Sequence, residues 1–281
     1  MDILTNKSDM QAWSNLKKRE GKTICFVPTM GYLHQGHVSL MEKGKPLCDE
    51  LVLSIFVNPT QFGANEDLNA YPSDIENDLA LAKKAGVTAV FLPTKSSIYP
   101  ENFQTEVKLL SLPNFLCGKF RPIHFAGVAT VVTKLFNIVM PDVAVFGQKD
   151  YQQLQIIRQL TLDLDFDIKI VAGKIIRETD GLAMSSRNAY LSKSQRASAL
   201  CLCQSLKLAK DIIAKGKTDA DTLKNKIESF IHSFKHTQVE YISFCDPITL
   251  EDTKDINSPV LLALAVKVGT TRLIDNAILN Q

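Results

Sequence analysis

No apolar run in this chain approaches the ~20 residues that a membrane-spanning helix needs. The longest, around Pro259 to Val266, is far shorter. Excess charge of either sign is missing as well: 32 Lys and Arg stand against 30 Asp and Glu, for a formal net charge of +2. That balance leaves no electrostatic footprint for nucleic acid or an anionic membrane, and neither is expected as a partner. The first residues, Met1 to Lys7, lack the basic-then-apolar pattern of a secretory signal. By elimination, these absences predict a cytoplasmic protein.

Metal-type cysteine spacing is absent too. The six cysteines, at 25, 48, 117, 201, 203 and 245, are scattered, and several sit inside apolar stretches. Reduced, buried thiols are expected. Cys201 and Cys203 are two apart in a helical pattern and so point away from each other. Asp163, Asp165 and Asp167 have the opening spacing of an EF-hand, but Ile168 and Lys174 stand where glycine and glutamate are required. No calcium site is expected, and the alternation reads as the solvated face of a strand. Two nucleotide signatures are missing. Gly21-Lys22-Thr23 resembles the end of a P-loop, yet Leu16 occupies the position of its first glycine, and no Gly-x-Gly-x-x-Gly occurs.

What is present is ordinary globular material, with 45% hydrophobic and 22% charged residues, enough for a sizeable core. Thr23–Pro28, Leu51–Val57, Thr88–Leu92 and Val143–Phe146 read as apolar strands. Helical segments at His37–Cys48, Ser73–Ala85 and Ala126–Val139 alternate with them. Ser73 with Glu76 predicts a capping box, and Gly86 a helix stop. Such alternation predicts an α/β fold, a Rossmann-like parallel sheet with helices on both faces. The last third changes character. Ser194–Ala214 and Asp219–Phe234 read as two helices with Gly216 and Thr218 between them, followed by strands at Val239–Phe244 and Val260–Val266. A smaller C-terminal α+β domain is predicted, which divides the chain into residues 1–176 and 177–281.

The richest segment runs Phe26-Val-Pro-Thr-Met-Gly-Tyr-Leu-His-Gln-Gly-His-Val-Ser-Leu40. A strand ends, a loop with Gly31 and Gly36 follows, and a helix starts near His37. In an open parallel sheet ligands sit beyond the carboxyl ends of the strands. The next helix's N-terminus offers unpaired N–H groups to an anion. His34 and His37, three apart, can both face one phosphate on a first helical turn. A structural loop and a zinc pair are the alternatives, and the zinc reading lacks further ligands. A second segment, Val143 to Gln155, carries Lys149 and Asp150 past a strand end. There a lysine suits phosphate, and an aspartate suits a ribose hydroxyl or a metal-bound water. A third, Arg177 to Asn188, puts two hydroxyls and a guanidinium on one loop in Met184-Ser-Ser-Arg187.

Together these segments resemble the pantoate–β-alanine ligase (pantothenate synthetase) family. That family belongs to a nucleotidyltransferase-like group related in its first domain to class I aminoacyl-tRNA synthetases. The matching stretches are Pro28–His37, Phe56–Phe62, Arg121–Gly127, Phe146–Gln153, Met184–Asn188 and Gly269–Asp275, in order and across nearly the whole chain. The resemblance implies condensation of (R)-pantoate with β-alanine through a pantoyl adenylate, with ATP cleaved to AMP and pyrophosphate. It implies ATP contacts from Met30, Gly31, Tyr32, Leu33, His34, Gln35, Gly36 and His37, from Gly147, Gln148, Lys149 and Asp150, and from Ile176, Met184, Ser185, Ser186 and Arg187. Gln61 and Gln153 would hold pantoate, with Gln61 also near β-alanine. His37, the second loop histidine, is the catalytic one by this resemblance, and His34, Lys149 and Arg187 would share charge stabilisation with it. The related synthetases carry a Lys-Met-Ser-Lys-Ser loop, whereas Ala183 stands here for its leading lysine, so positive charge must come from Arg187 and Lys149. Mg²⁺ would accompany ATP with no protein ligand assigned. A homodimer is implied, and His124 receives no role. A plain nucleotidyltransferase and a non-catalytic nucleotide sensor are the rival readings.

Overall fold

The computed structural model describes residues 1–64, 66–216 and 219–280. The chain forms two compact units. The first holds residues 1–113, 121–148 and 153–174; the second holds 114–120, 149–152 and 175–281.

The first unit is built on six parallel strands: β1 (Asp2–Leu4), β2 (Ile24–Thr29), β3 (Glu50–Ile55), β4 (Ala89–Phe91), β5 (Val143–Gly147) and β6 (Lys169–Gly173), in the order β1-β4-β3-β2-β5-β6. The helices are α1 (Lys7–Arg19), α2 (Gln35–Gly44), α3 (Ile75–Lys84), α4 (Lys95–Ile98), α6 (His124–Val139) and the greater part of α7 (Tyr151–Asp163). A short α5 (Leu116–Phe120) belongs to the second unit. Strand residues alternate faces with period two. Ile24 and Phe26 of β2, with Ala144 and Phe146 of β5, join a core that includes Met10 of α1, Val128 and Leu135 of α6, and Ile157 of α7. Cys25, Val27, Val143 and Val145 face the other way, onto Leu40 and Met41 of α2 and Ala82 of α3. The sheet is therefore covered on both sides, and its central strands are apolar at nearly every position.

The second unit packs α8 (Lys193–Ala199), α9 (Cys201–Ala214) and α10 (Ala220–His232) with an antiparallel sheet of β7 (Thr237–Cys245), β8 (Val260–Val268) and β9 (Thr271–Leu279). Leu223, Ile227 and Ile231, spaced four apart on α10, meet Leu262, Leu264 and Val266 of β8 in one apolar core. The two short inserts of this unit are tied together by Gln152. Its Oε1 accepts from the Cys117 N–H at 2.9 Å, and its Nε2 donates to the Phe115 carbonyl at 2.7 Å.

The α/β and α+β classes match the sequence reading, with local corrections. The helix expected from Ser73 has its N-cap one position later, at Asp74, which accepts from the Asn77 N–H at 3.2 Å, and its first residue is Ile75. The single helix expected over Ser194–Ala214 is two, broken at Leu200. The alternating aspartates are not on a strand. Asp163 ends α7, Asp165 adopts a left-handed conformation (φ +53°), and β6 begins only at Lys169. Thr218, expected in the link before α10, lies outside the described residues.

Candidate active site

The site of interest starts at the end of β2. Its neighbours β3 and β5 lie on opposite sides, so the connections leaving β2 and β5 diverge from the middle of the sheet. That is the switch point where open α/β sheets hold ligands. Beyond Thr29 the chain turns through two consecutive left-handed residues, Gly31 (φ +84°) and Tyr32 (φ +51°). A side chain at Gly31 would lie 2.9 Å from Ile55 Cγ2 and 3.0 Å from Asp78 Oδ2, so only glycine fits there. The Asp78 carboxylate, buried on α3, accepts the Tyr32 N–H at 2.8 Å and the Leu33 N–H at 2.6 Å. Burial pushes the Asp78 carboxyl above its ordinary pKa, and these two hydrogen bonds pull it partly back.

His34 is the N-cap of α2. Its Nδ1 accepts the Gly36 N–H at 3.1 Å, and the His37 Nδ1 accepts the His34 N–H at 3.3 Å. The two rings lie 4.1 Å apart, centroid to centroid. A ring nitrogen that accepts carries no hydrogen, so in each neutral imidazole the hydrogen sits on Nε2. Both histidines are thereby set as Nε2–H donors at a helix N-terminus, the geometry that suits a phosphate. The helix is seated close to the sheet by glycine. A Cβ at Gly173 would fall 2.1 Å from Leu40 Cδ2, and Gly147, paired with Gly173 across β5 and β6, lies against the same leucine.

Gln61 sits in the short turn Pro59–Gln61 and is buried. Its Nε2 approaches Met30 Sδ at 3.0 Å, which joins it to the β2 loop, and its Oε1 accepts from Asn58 Nδ2 at 3.2 Å. The backbone of this turn is gripped from α6. A Cβ at Gly127 would stand 2.4 Å from the Thr60 carbonyl oxygen. The Gln61 carbonyl meets His124 Nδ1 at 2.9 Å and accepts from Arg121 at 3.2 Å. Arg121 in turn pairs with Glu66 through its Nε at 2.8 Å and its Nη2 at 2.5 Å. His124, to which the sequence assigns no role, thus holds the Gln61 turn. Gln153 lies in the first turn of α7, partly buried.

In the second unit Lys149 and Asp150 occupy a 3₁₀ turn (Gln148–Asp150), with Lys149 Nζ 3.6 Å from Asp150 Oδ2. Ile176 and Met184 face each other across a tight hairpin. The Met184 N–H donates to the Ile176 carbonyl at 2.9 Å, Arg177 pairs with Ala183, and the Gly181 N–H donates to the Glu178 carbonyl at 2.9 Å. Polar residues clamp it. Arg196 binds Glu178 and Asp180, each at 2.7 Å, and Asn188 donates to Glu178 at 2.7 Å and to the Ala183 carbonyl at 3.0 Å. Ser185 caps the following 3₁₀ helix, its Oγ accepting the Arg187 N–H at 3.3 Å. The structure therefore gathers the sequence-predicted residues in two sets. Met30–His37, Gln61, Gly147, Gln148 and Gln153 are in the first unit, and Lys149, Asp150, Ile176 and Met184–Arg187 in the second. A cavity of about 400 Å³ in the second unit, lined by Lys119, Phe120, Lys224 and Tyr241 among others, contains none of them.

Comparison with known proteins shows the family of the chain as a whole. Residues 2–278 match the family Pantoate-beta-alanine ligase. The chain belongs to that family. It is similar to the pantothenate synthetase of Desulforapulum autotrophicum, 57% identical over all of this chain and 99% of the relative. It is 51% identical to that of Geobacter sulfurreducens, again over all of this chain and 99% of the relative. Among solved structures it resembles the pantothenate synthetase of Thermus thermophilus, with a TM-score of 0.93, 37% identity and 99% of each chain covered. It also resembles the pantoate-beta-alanine ligase of Francisella tularensis complexed with beta-gamma ATP and beta-alanine, with a TM-score of 0.82, 34% identity, and 99% and 97% covered. The chain is an enzyme, a ligase that joins pantoate to β-alanine to form pantothenate.

Several residues that shape the ligase carry no sequence signal of their own. Asp78 looks like any acid on an amphipathic helix, and its partners are 45 and 46 residues away. For Asn58, Arg121, His124 and Gly127 the one pointer is their place inside family-like stretches.

Proposed function

We propose that the ligase works in two steps on one ATP. In the first, the carboxylate of (R)-pantoate attacks the α-phosphorus and pyrophosphate leaves. In the second, the β-alanine amine attacks the acyl carbon of the pantoyl adenylate and AMP leaves. The observation that carries this reading is the pair of backbone N–H groups that donate to Nδ1 of His34 and of His37 at the N-terminus of α2, which leaves Nε2 of each ring as the donor. Two neutral N–H donors there stabilise negative charge as it appears on the phosphoryl oxygens, without a permanent buried charge to solvate.

Lys149 and Arg187 bring the positive charge that the pyrophosphate leaving group requires, and arginine's planar fork matches phosphate oxygens. Met30–Gly36, Gly147 and Gln148 of the first unit would contact ATP, as would Ile176, Met184, Ser185 and Ser186 of the second. Gln61 and Gln153 hold pantoate. A neutral amide orients a carboxylate without the ion pair that would blunt its nucleophilicity.

Mg²⁺ fits this donor set as ATP's own companion. Among the described residues no cluster of three His, Cys, Asp or Glu side chains is arranged to cage a metal, and Mg²⁺ commonly relies on phosphates, water and one or two carboxylates. Asp150 would hold one of its waters, and the ion would neutralise phosphate charge. We further propose a homodimer, which the family resemblance implies, and a cytoplasmic location, which the sequence suggests by elimination. Among the described residues no helix is long and apolar enough to cross a membrane.

Mass analysis of products from protein, ATP, Mg²⁺, pantoate and β-alanine tests the reading. Pantothenate, AMP and pyrophosphate in equal amounts support it. ADP, or AMP released at the same rate without β-alanine and with no pantothenate formed, would overturn it.

A further inference from the structure

Two adjacent residues of β9 are polar and buried: Asp275 is 2% exposed and Asn276 7%. Period two along the strand puts Asp275 in the series Thr271, Leu273, Ala277 and Leu279. Leu273 and Leu279 belong to the apolar core of the second unit, and Ala277 packs against it. A carboxylate in that series is not what packing asks for. It is retained with full satisfaction: Arg177 Nη1 and Nη2 donate to its two oxygens at 2.6 and 3.0 Å, and the Asn276 N–H donates at 2.8 Å. Arg177 Nη1 also reaches the Gly181 carbonyl at 3.1 Å, so one guanidinium spans the hairpin from its leg to its turn. The next residue works on a different segment. Asn276 Nδ2 donates to the carbonyl of Lys149 at 2.9 Å, across 127 positions of sequence.

We propose that Asp275 and Asn276 are positioning residues of the ligase. One fixes the hairpin that carries Ile176 and Met184–Arg187, the other fixes the backbone of Lys149, and their shared strand sets the spacing between the two. Successive Cα atoms on a strand are ~3.8 Å apart and covalently fixed, which makes such a bracket stiff. Lysine's four-carbon stem reaches its target only from a defined backbone position, and a displacement of ~1 Å at a catalytic group can cost on the order of 10² in rate. This inference rests on the roles proposed above for Lys149 and Arg187.

The test is a pair of double-mutant cycles read by pantoate-dependent exchange of pyrophosphate into ATP. Asn276→Leu keeps shape and removes the donor. Alone it lowers kcat about tenfold or more, with a smaller change in the KM for pantoate. Combined with Lys149→Met it adds no further loss, because the group it positions is gone. Asp275→Asn combined with Arg187→Met loses less than the product of the two single losses, since Arg187 is one of several groups the hairpin carries, and Arg177→Lys, which keeps the charge but not the fork, replaces Asp275→Asn if that variant does not fold. A merely structural role gives losses that multiply in the double variants, and that result overturns the inference while leaving the two-step reaction intact. Full activity of Lys149→Met removes Lys149 from the reaction and this bracket with it.

Discussion

Asp78 holds the backbone of Leu33 at 2.6 Å, although 45 residues of sequence separate them. The same carboxylate takes the Tyr32 N–H, so one buried side chain fixes the left-handed turn that aims His34 and His37. An amide in its place has one accepting atom instead of two. Asp78→Asn should therefore leave one loop N–H unpaired, at about 1–3 kcal/mol. Thermal unfolding should show the loss, and steady-state assays should show at least a several-fold rise in the KM for ATP. An unchanged KM with a lowered melting temperature would confine Asp78 to stability.

The role of His37 as a donor predicts a specific mutant series. His37→Ala should lower pantoate-dependent ATP–pyrophosphate exchange by roughly 10²–10³, the usual worth of one transition-state donor. Circular dichroism should stay unchanged, since the ring lies at the start of α2 rather than in the core. His37→Gln, which keeps an N–H near the Nε2 position, should recover part of the loss.

Gly127 should tolerate no side chain. A methyl group there would sit 2.5 Å from the Thr60 carbonyl carbon and 2.6 Å from the Gln61 nitrogen, both backbone atoms that cannot swing aside. Gly127→Ala should cost about 1–3 kcal/mol of stability by overpacking. It should also raise the KM for pantoate by displacing Gln61, while the KM for ATP moves less. Equal shifts in the two constants would contradict the assignment of Gln61 to pantoate.

Acid should loosen the same turn. Burial pushes the Glu66 carboxyl up, but its hydrogen bonds to Arg121 and the guanidinium charge outweigh that and hold it below its ordinary value. A carboxyl depressed in the folded state contributes stability that is complete above the unfolded value and fades as pH falls through the folded one. Urea denaturation of wild type and Glu66→Gln should thus differ most near neutral pH and converge well below pH 4.5, the ordinary value. A difference independent of pH would mean that the Glu66 charge contributes nothing.

Strands β2, β3 and β5 are legible in the sequence because a strand covered on both faces is apolar almost throughout. Strand β9 is not. Arg272, Asp275 and Asn276 interrupt its pattern, and the partners that satisfy those groups inside the fold, Glu240, Arg177 and Lys149, are remote in sequence. The break at Leu200 has no Gly or Pro to announce it. In the site, the loop after β2 is legible through its glycines and paired histidines. Asp78 and the Gly127 contact are not, because each exists only once distant segments pack. The spacing Ser73-x-x-Glu76 misleads by one position, since Asp74 offers the stronger charged acceptor.

If pantoate's own oxygen attacks the α-phosphorus of ATP, that oxygen must leave with AMP. Pantoate labelled with ¹⁸O in its carboxylate tests this most directly. After turnover with ATP, Mg²⁺ and β-alanine, mass spectrometry should find one ¹⁸O in the phosphate of AMP and the other in the pantothenate amide. Unlabelled AMP, or ¹⁸O appearing in inorganic phosphate beside ADP, would contradict an adenylate and remove the histidines' assigned task.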